Sequence, residues 1–371
     1  VKEIVKEIVK EMVMTQASDF QVRRDALRKH RLVTTPLPDV AQGEVLMAVD
    51  VFALTANNVT YAVAGDMMNY WDFFPAEDGF GRVPVWGFGD VVQSKVDGVQ
   101  VGERFYGYFP MSSHLVVTPS RIGPQGFTDG VEHRQHLNRV YNTYQRVSTD
   151  PGYDPTRETE QMLLRPLFTT SFLIEDYLAD NEYFGAAQIL ITSASSKTSL
   201  GLAHLLHAKG GVEVVGLTSP ANRDFCIGLG CYHQVVTYAD LESLDANLAS
   251  VVVDMAGDAP LRGRIHRHYG DALKHDCMVG VTHWEAPPEQ IQLPGPKPVM
   301  FFAPSQIQKR AAEWGPGGLE QRLGVAWTTF LGSSSDWFEV RREQGPQAMA
   351  ERWLEALENR LPPNCGQLLS L

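Results

Sequence analysis

A chain of 371 residues exceeds what one ordinary hydrophobic core supports and suits two domains. With 44% hydrophobic and 20% charged residues it reads as an ordinary globular protein, and its formal net charge of -12 argues against a broad nucleic-acid or anionic-membrane surface, since each needs a basic patch. No apolar run approaches the roughly 20 residues that span a bilayer, and no secretory h-region precedes a small-residue cleavage site; the expectation is a cytoplasmic protein without nucleic-acid or membrane partners. The cysteines Cys226, Cys231, Cys277 and Cys365 form no CxxC pair, so they read as buried thiols rather than a disulfide framework or a zinc knuckle.

In chain order, the first segment, Val1 to Met12, repeats a four-residue unit whose apolar positions recur at helical spacing. Residues 1–14 are read as an extension or tag. From Phe20 to Ile122 short alternating segments follow one another. Strands are expected at Glu44 to Leu54, Gly87 to Ser94 and Val101 to Tyr108, with the glycine density of a small, tightly bent barrel. Residues 123–161 turn polar and irregular, with a helix compatible with Glu132 to Arg146; the sequence does not choose between an insertion, a lid and a crossover.

Leu163 to Tyr183 then reads as a helix, and strands alternate with helices from Ile189 onward. Ile189 to Thr192 is a short apolar strand, Ser193 to Ser199 a small-residue turn, Leu200 to Ala208 a helix and Val212 to Leu217 a second strand. Such a βαβ unit aims unpaired N–H groups and the positive end of a helix dipole at any anion in the turn. Further strands are expected at Gln234 to Thr237, Ser250 to Asp254, Cys277 to Val281 and Pro298 to Phe302, about six in all, as in a doubly wound sheet. Ala348 to Arg360 is amphipathic and is stopped by Pro362-Pro363.

The segments Asp50 to Thr60, Pro84 to Val92, Val101 to Gly107, Ile189 to Ser199 and Val252 to Gly257 stand in an order and spacing that resemble the medium-chain dehydrogenase/reductase superfamily, in particular its zinc-free quinone-oxidoreductase and enoyl-reductase branches. The resemblance implies an α/β protein with a GroES-like β-barrel domain and a Rossmann doubly wound parallel-sheet domain. The corresponding boundaries are 15–160, including a polar insertion at about 123–160, and 161–310. The sequence leaves open whether 311–371 returns to the first domain. The departure is in the turn: where the family has Gly-Gly-Val-Gly, this chain has Ser196-Lys197-Thr198-Ser199. Close backbone approach to a pyrophosphate would be replaced by side-chain contacts from Ser195, Ser196, Lys197, Thr198 and Ser199. Asp254 matches the family's strand-end aspartate and is expected among the cofactor-binding residues.

At the end of the second strand no carboxylate occurs before Asp224, while Ser219 and Arg223 could hold a 2′-phosphate, which favours NADP over NAD as the cofactor. The bland reading of Arg223 is a solvated first-turn residue. Lys197-Thr198 partly fits a P-loop, but Ile191 and Ser196 occupy its glycine positions. No metal is expected: the zinc branch's ligand spacing is absent between residues 50 and 160, and the pairs His133/His136 and His204/His207 lack a third ligand. Catalytic candidates implied by the resemblance are Asn57 or Asn58 as a hydrogen-bond donor, Tyr61 as a phenol with Tyr106 and Tyr108 behind it, and Thr170 on the helix that faces the nicotinamide in the family. The aromatic run Tyr70 to Phe74, with Trp86, reads as a substrate wall or as loop core. The expected function is zinc-independent hydride transfer between NADPH and an activated C=C or C=O of a hydrophobic or aromatic small molecule, with a homodimer compatible. The alternative is a non-catalytic nucleotide sensor or scaffold of the same fold.

Overall fold

The computed structural model describes residues 16–150, 152–279, 293–334 and 337–371. The N-terminal repeat lies outside the described residues. Two compact units are formed, one from residues up to Leu163 with Val340–Leu361 and Cys365–Leu371, the other from Leu164–Glu339 with Pro362–Asn364.

In the first unit β1 (Gln16–Arg23) pairs antiparallel with β2 (Ala26–Pro36). After β3 (Val45–Leu54) and helix α1 (Ala56–Val63), β4 (Phe80–Gly81) completes a three-stranded sheet ordered β2-β1-β4. Next come β5 (Pro84–Ser94), β6 (Arg104–Pro110), β7 (His114–Val117), β8 (Pro119–Gly123), β9 (Gly126–Asp129) and β10 (Thr143–Arg146). With β3 they form a larger sheet in the order β3-β5-β6-β10-β9-β8, and β7 pairs separately with β3. Gly107 on β6 makes this packing possible, because a Cβ there would stand 2.5 Å from the ring of Tyr144 on β10.

The helix expected from Glu132 to Arg146 does not form. Single 3₁₀ turns occupy Glu132–Arg134 and Arg139–Asn142, and β10 begins at Thr143. The cause is the buried Arg134, which donates from Nε to Asn142 Oδ1 (2.8 Å), from Nη1 to Asp129 Oδ2 (3.0 Å) and from Nη2 to the Tyr141 carbonyl (2.8 Å). Meeting a guanidinium's donors from one side chain and one carbonyl eight and seven residues away requires a loop that closes on itself, not a rod. Through β9 and β10 the 123–161 segment is woven into the sheet.

Helix α2 (Glu158–Asp180), with Pro166 inside it, leads into the second unit. There β11 (Gln188–Ile191), α3 (Lys197–Lys209), β12 (Glu213–Thr218), α4 (Arg223–Gly228), β13 (Gln234–Thr237), β14 (Ser250–Asp254), α5 (Ala259–Tyr269), β15 (Leu273–Met278) and β16 (Val299–Met300) alternate. The six strands form one sheet in the order β13-β12-β11-β14-β15-β16, every neighbouring pair parallel. That is the doubly wound order 3-2-1-4-5-6 of dinucleotide-binding sheets. Ile189, Ile191, Val251 and Val253 pack on one face with Leu200, Ala203 and Leu206, while Leu190, Val215 and Val252 pack on the other with Leu261 and Ile265. Burial on both faces is why these strands read as continuous apolar runs rather than alternating ones.

β15 starts four residues before the expected Cys277, and its continuation past Val279 lies outside the described residues. The strand expected from Pro298 to Phe302 shortens to Val299–Met300. Two helices that the sequence reading did not anticipate follow, α6 (Ala303–Trp314) and α7 (Gly318–Ser334). Finally β17 (Glu339–Gln344) and β18 (Cys365–Ser370), joined through α8 (Pro346–Leu357), extend the large sheet of the first unit, β18 pairing with β3. Trp353 anchors α8 by donating from Nε1 to the Leu27 carbonyl at 2.9 Å.

Gly201 sits where α3 meets α2: a Cβ would lie 2.7 Å from Ser171 Oγ and 3.3 Å from the Phe168 ring. Overpacking of about 1–3 kcal/mol, against up to about 1 kcal/mol gained in helix propensity, leaves Gly201→Ala destabilised by about 1 kcal/mol. A lowered urea midpoint at unchanged slope is the expected reading.

All four cysteines are buried. Burial pushes the Cys226 thiol up to about 11 and those of Cys231 and Cys277 up to about 12. Among the described residues no helix is long and apolar enough to cross a membrane, and no group of three or more His, Cys, Asp or Glu side chains is placed to hold a metal ion.

Candidate nucleotide turn and aromatic donor cluster

The carboxyl ends of β11 and β14 are adjacent at the point where the strand order reverses, which is where open parallel sheets bind ligands. The chain leaves β11 through Thr192 and Ser193. Ser193 adopts φ 47°, the left-handed region that glycine usually supplies, so the sharp turn is kept without glycine. Two tyrosines clasp it: Ser193 N–H donates to Tyr238 Oη (3.1 Å), and Tyr232 Oη donates to the Ala194 carbonyl (2.7 Å). Ser196 is then the N-cap of α3, its Oγ accepting from Ser199 N–H at 3.3 Å and lying 2.8 Å from Ser199 Oγ. The remaining first-turn N–H groups have no acceptor within the helix.

Ser195, Ser196, Lys197, Thr198 and Ser199 are therefore brought together in one turn. Ser199 is the buried member, and Lys197 Nζ lies 5.0 Å from the Phe338 ring centroid. The end of β12 is tied to this turn, since Asn222 Nδ2 donates to Ser195 Oγ at 2.9 Å. Ser219 and Arg223 flank Asn222. The Arg223 side chain is half exposed, with Asp224 3.8 Å away.

Asp254 has a different place from a surface ligand. Its Oδ1 accepts from Thr192 Oγ1 (2.8 Å) and from the N–H groups of Ala256 (3.0 Å) and Gly257 (3.1 Å). Its Oδ2 takes Arg262 Nε (3.0 Å) and Nη2 (2.6 Å). It is buried and fully engaged, and it fixes the two strand ends at the switch point. Arg262, Asn222, Tyr232 and Tyr238 were not singled out from sequence; no spacing rule connects them with the turn, because their partners are 8 to 45 residues away.

On α2, Thr170 Oγ1 lies 3.4 Å from the Pro166 carbonyl, and Thr169 and Ser171 make the same backward contact to Arg165 and Leu167. Ser171 Oγ is also 2.7 Å from the Thr198 carbonyl, which couples α2 to the first turn of α3.

In the first unit, Asn57, Asn58 and Tyr61 share α1. Asn58 is consumed by structure: Oδ1 accepts from Thr55 N–H (2.7 Å) and Nδ2 donates to the Pro84 carbonyl (2.8 Å). Tyr61 is buried beside Tyr70 (ring centroids 4.7 Å apart), Tyr108 (5.6 Å) and Tyr141 (6.4 Å). Its hydroxyl faces Trp86, Asn57 and Tyr108. Burial, reinforced by Tyr141, pushes the Tyr61 phenol far above its ordinary value, burial holds Tyr108 well above it too and raises Tyr141, so all three stay protonated. Tyr106 donates to the Gln161 carbonyl at 3.3 Å.

A family model described as "Protein of unknown function (DUF2855)" matches residues 52–362. The chain belongs to that family. A search of curated proteins finds no match to this family member. Among solved structures it is similar to CurA from Vibrio vulnificus in complex with NADPH, at 12% identity and TM-score 0.61, over 92% of this chain and 94% of that one. It is also similar to the yhdH oxidoreductase from Salmonella enterica in complex with NADP, at 13% identity and TM-score 0.52 over 96% and 99% of the two chains. A mutant enoyl thioester reductase from Candida tropicalis is similar at 10% identity and TM-score 0.54, over 96% and 100%. At such identities the likeness shows the fold: this DUF2855 chain has the GroES-like plus Rossmann architecture of medium-chain dehydrogenases/reductases.

Proposed function

We propose that the protein is a metal-independent, NADP-dependent oxidoreductase acting on an activated C=C or C=O of a small hydrophobic or aromatic molecule. The observation that carries this reading is the turn 193–199 opening α3 at the switch point of a 3-2-1-4-5-6 sheet. NADP(H) in two structures of the same fold supports it.

The residues present fit the cofactor. Ser193 keeps the turn sharp, and the uncapped first-turn N–H groups with the hydroxyls of Ser195, Ser196 and Thr198 offer donors to a pyrophosphate, whereas the buried Ser199 spends its hydroxyl on the Thr192 carbonyl and braces the turn. Ser219 and Arg223 offer a hydroxyl and a cation where an NAD site has a carboxylate. Bound NADPH supplies a hydride, so the chain itself must supply a proton or a hydrogen-bond donor to the substrate. Burial that keeps the Tyr61 phenol protonated suits it, with Asn57 beside it, to the hydrogen-bond-donor role rather than to giving up a proton.

Titration with NADPH and NADH, followed by nicotinamide fluorescence, tests the reading; absence of binding by either at millimolar concentration would overturn it. Within that titration Arg223→Ala should weaken NADPH about 10-fold or more and leave NADH nearly unchanged, since a charge-assisted hydrogen bond contributes about 1.5–3 kcal/mol. Equal losses for both would refute the 2′-phosphate role.

The self-capping of the turn, in which Ser196 Oγ already occupies Ser199 N–H, favours one second reading, a nucleotide sensor without turnover. Binding of NADPH with no oxidation in the presence of enones, quinones or aldehydes would select it.

A further inference from the structure

Trp86 on β5 and Tyr108 on β6 are direct cross-strand partners, so both side chains project from the same face of the sheet. Their rings lie 5.0 Å apart. Trp86 Nε1 and Tyr108 Oη are both buried, and neither completes a hydrogen bond. The Tyr61 hydroxyl faces both, yet neither reaches hydrogen-bonding geometry with it or with any other described residue, and two buried donors left short of an acceptor on adjacent strands are costly and call for an explanation.

The side chains whose rings contact these two are Tyr61, Phe73, Phe74, Tyr106 and Tyr141, none of them charged at neutral pH. Trp86, Tyr141 and Asn57 are only partly buried, so the cluster is not sealed on all sides. A carboxylate would require a cation among these neighbours. A carbonyl oxygen, neutral and with two lone pairs, can accept from an indole N–H and a phenol O–H together, while a flat conjugated body stacks among the rings.

We propose that Trp86 Nε1 and Tyr108 Oη together hold the carbonyl oxygen of a neutral conjugated ketone or quinone. This deepens the oxidoreductase reading by assigning its substrate class to two strand residues, and it rests on that reading for the chemistry but not for the binding. The pair is held by the β5/β6 ladder, so its geometry is set before ligand arrives.

The test uses the full chain without cofactor and benzylideneacetone, isotope-labelled at its carbonyl, as the probe. Infrared difference spectra should show the carbonyl stretch of the bound probe shifted to lower frequency. Tyr108→Phe and Trp86→Phe, which keep aromatic packing, should each weaken binding about three- to tenfold and reduce that shift, with melting temperature followed in parallel. NADPH affinity, measured separately, should be the same in both variants and the wild type.

No binding of the probe by the wild type, an unshifted carbonyl, or variants that retain both affinity and shift would each overturn the proposal. Because NADPH binding is read independently, its loss would count against the cofactor assignment alone. Should a variant fold poorly, the wild-type infrared shift still decides.

Discussion

Asp254→Ala is expected to lose about 3 kcal/mol or more of unfolding free energy, because a buried carboxylate that neutralises an arginine cannot be removed without stranding its partners. In this protein the stranded groups are identifiable. Thr192 Oγ1 and Gly257 N–H would lose an acceptor, Ala256 N–H would keep only Thr192 Oγ1 at 2.9 Å, and Arg262 would be left with Asp276, 3.8 Å away. Asp254→Asn keeps an oxygen for the N–H groups and drops the charge, so it should fall between alanine and wild type. Urea unfolding gives both values, and a change within about 0.5 kcal/mol for the alanine variant would show that the network is not holding the strand ends. Nucleotide affinity should fall with stability here, since the same carboxylate fixes the end of β11 from which the turn departs.

That network also shows where reading the sequence stops. β11, β12 and β14 were legible because β-branched, apolar runs bounded by small residues admit few other conformations once both faces are covered. β15 was misplaced because its first half is Leu273-Lys274-His275-Asp276, whose polar members read as a loop. Yet Asp276 is fully buried with His266 Nε2 2.8 Å from it, a partner ten residues back on α5. The same holds for the turn: its position was evident from the small residues 193–199, whereas the tyrosines that clasp it, Tyr232 and Tyr238, lie beyond any local pattern. Helix α7 was missed because Gly315 and Gly317 precede it and Gly318 opens it, a density that suggests a loop although it only marks the break from α6.

A second large effect belongs to Arg134. Truncating it to alanine should cost about 3–5 kcal/mol, since Asp129, equally buried, would keep its charge and lose its counter-ion. The loop from 132 to 142 would lose the group around which it closes, and the rings of Phe74 and Tyr144, 4.8 Å and 5.9 Å from the guanidinium, would lose their packing partner. The double variant Arg134→Met with Asp129→Asn should recover much of the loss. Asparagine still offers Oδ1 to the N–H groups of Thr118 and Val131, and no unpaired charge remains. Calorimetric unfolding of the three proteins separates these cases; a double variant as unstable as Arg134→Ala would mean that loop closure, rather than the stranded carboxylate, dominates.

The buried cysteines give the molecule a built-in record of its own breathing. Only a thiolate attacks an alkylating reagent, and burial suppresses that form for Cys226, Cys231 and Cys277. Each therefore becomes reactive chiefly when its surroundings open. Because these three lie in the Rossmann unit while Cys365 lies in the β-unit, the peptide that carries the label tells which half opened and how often. A ligand that tightens one half slows the modification of that half alone.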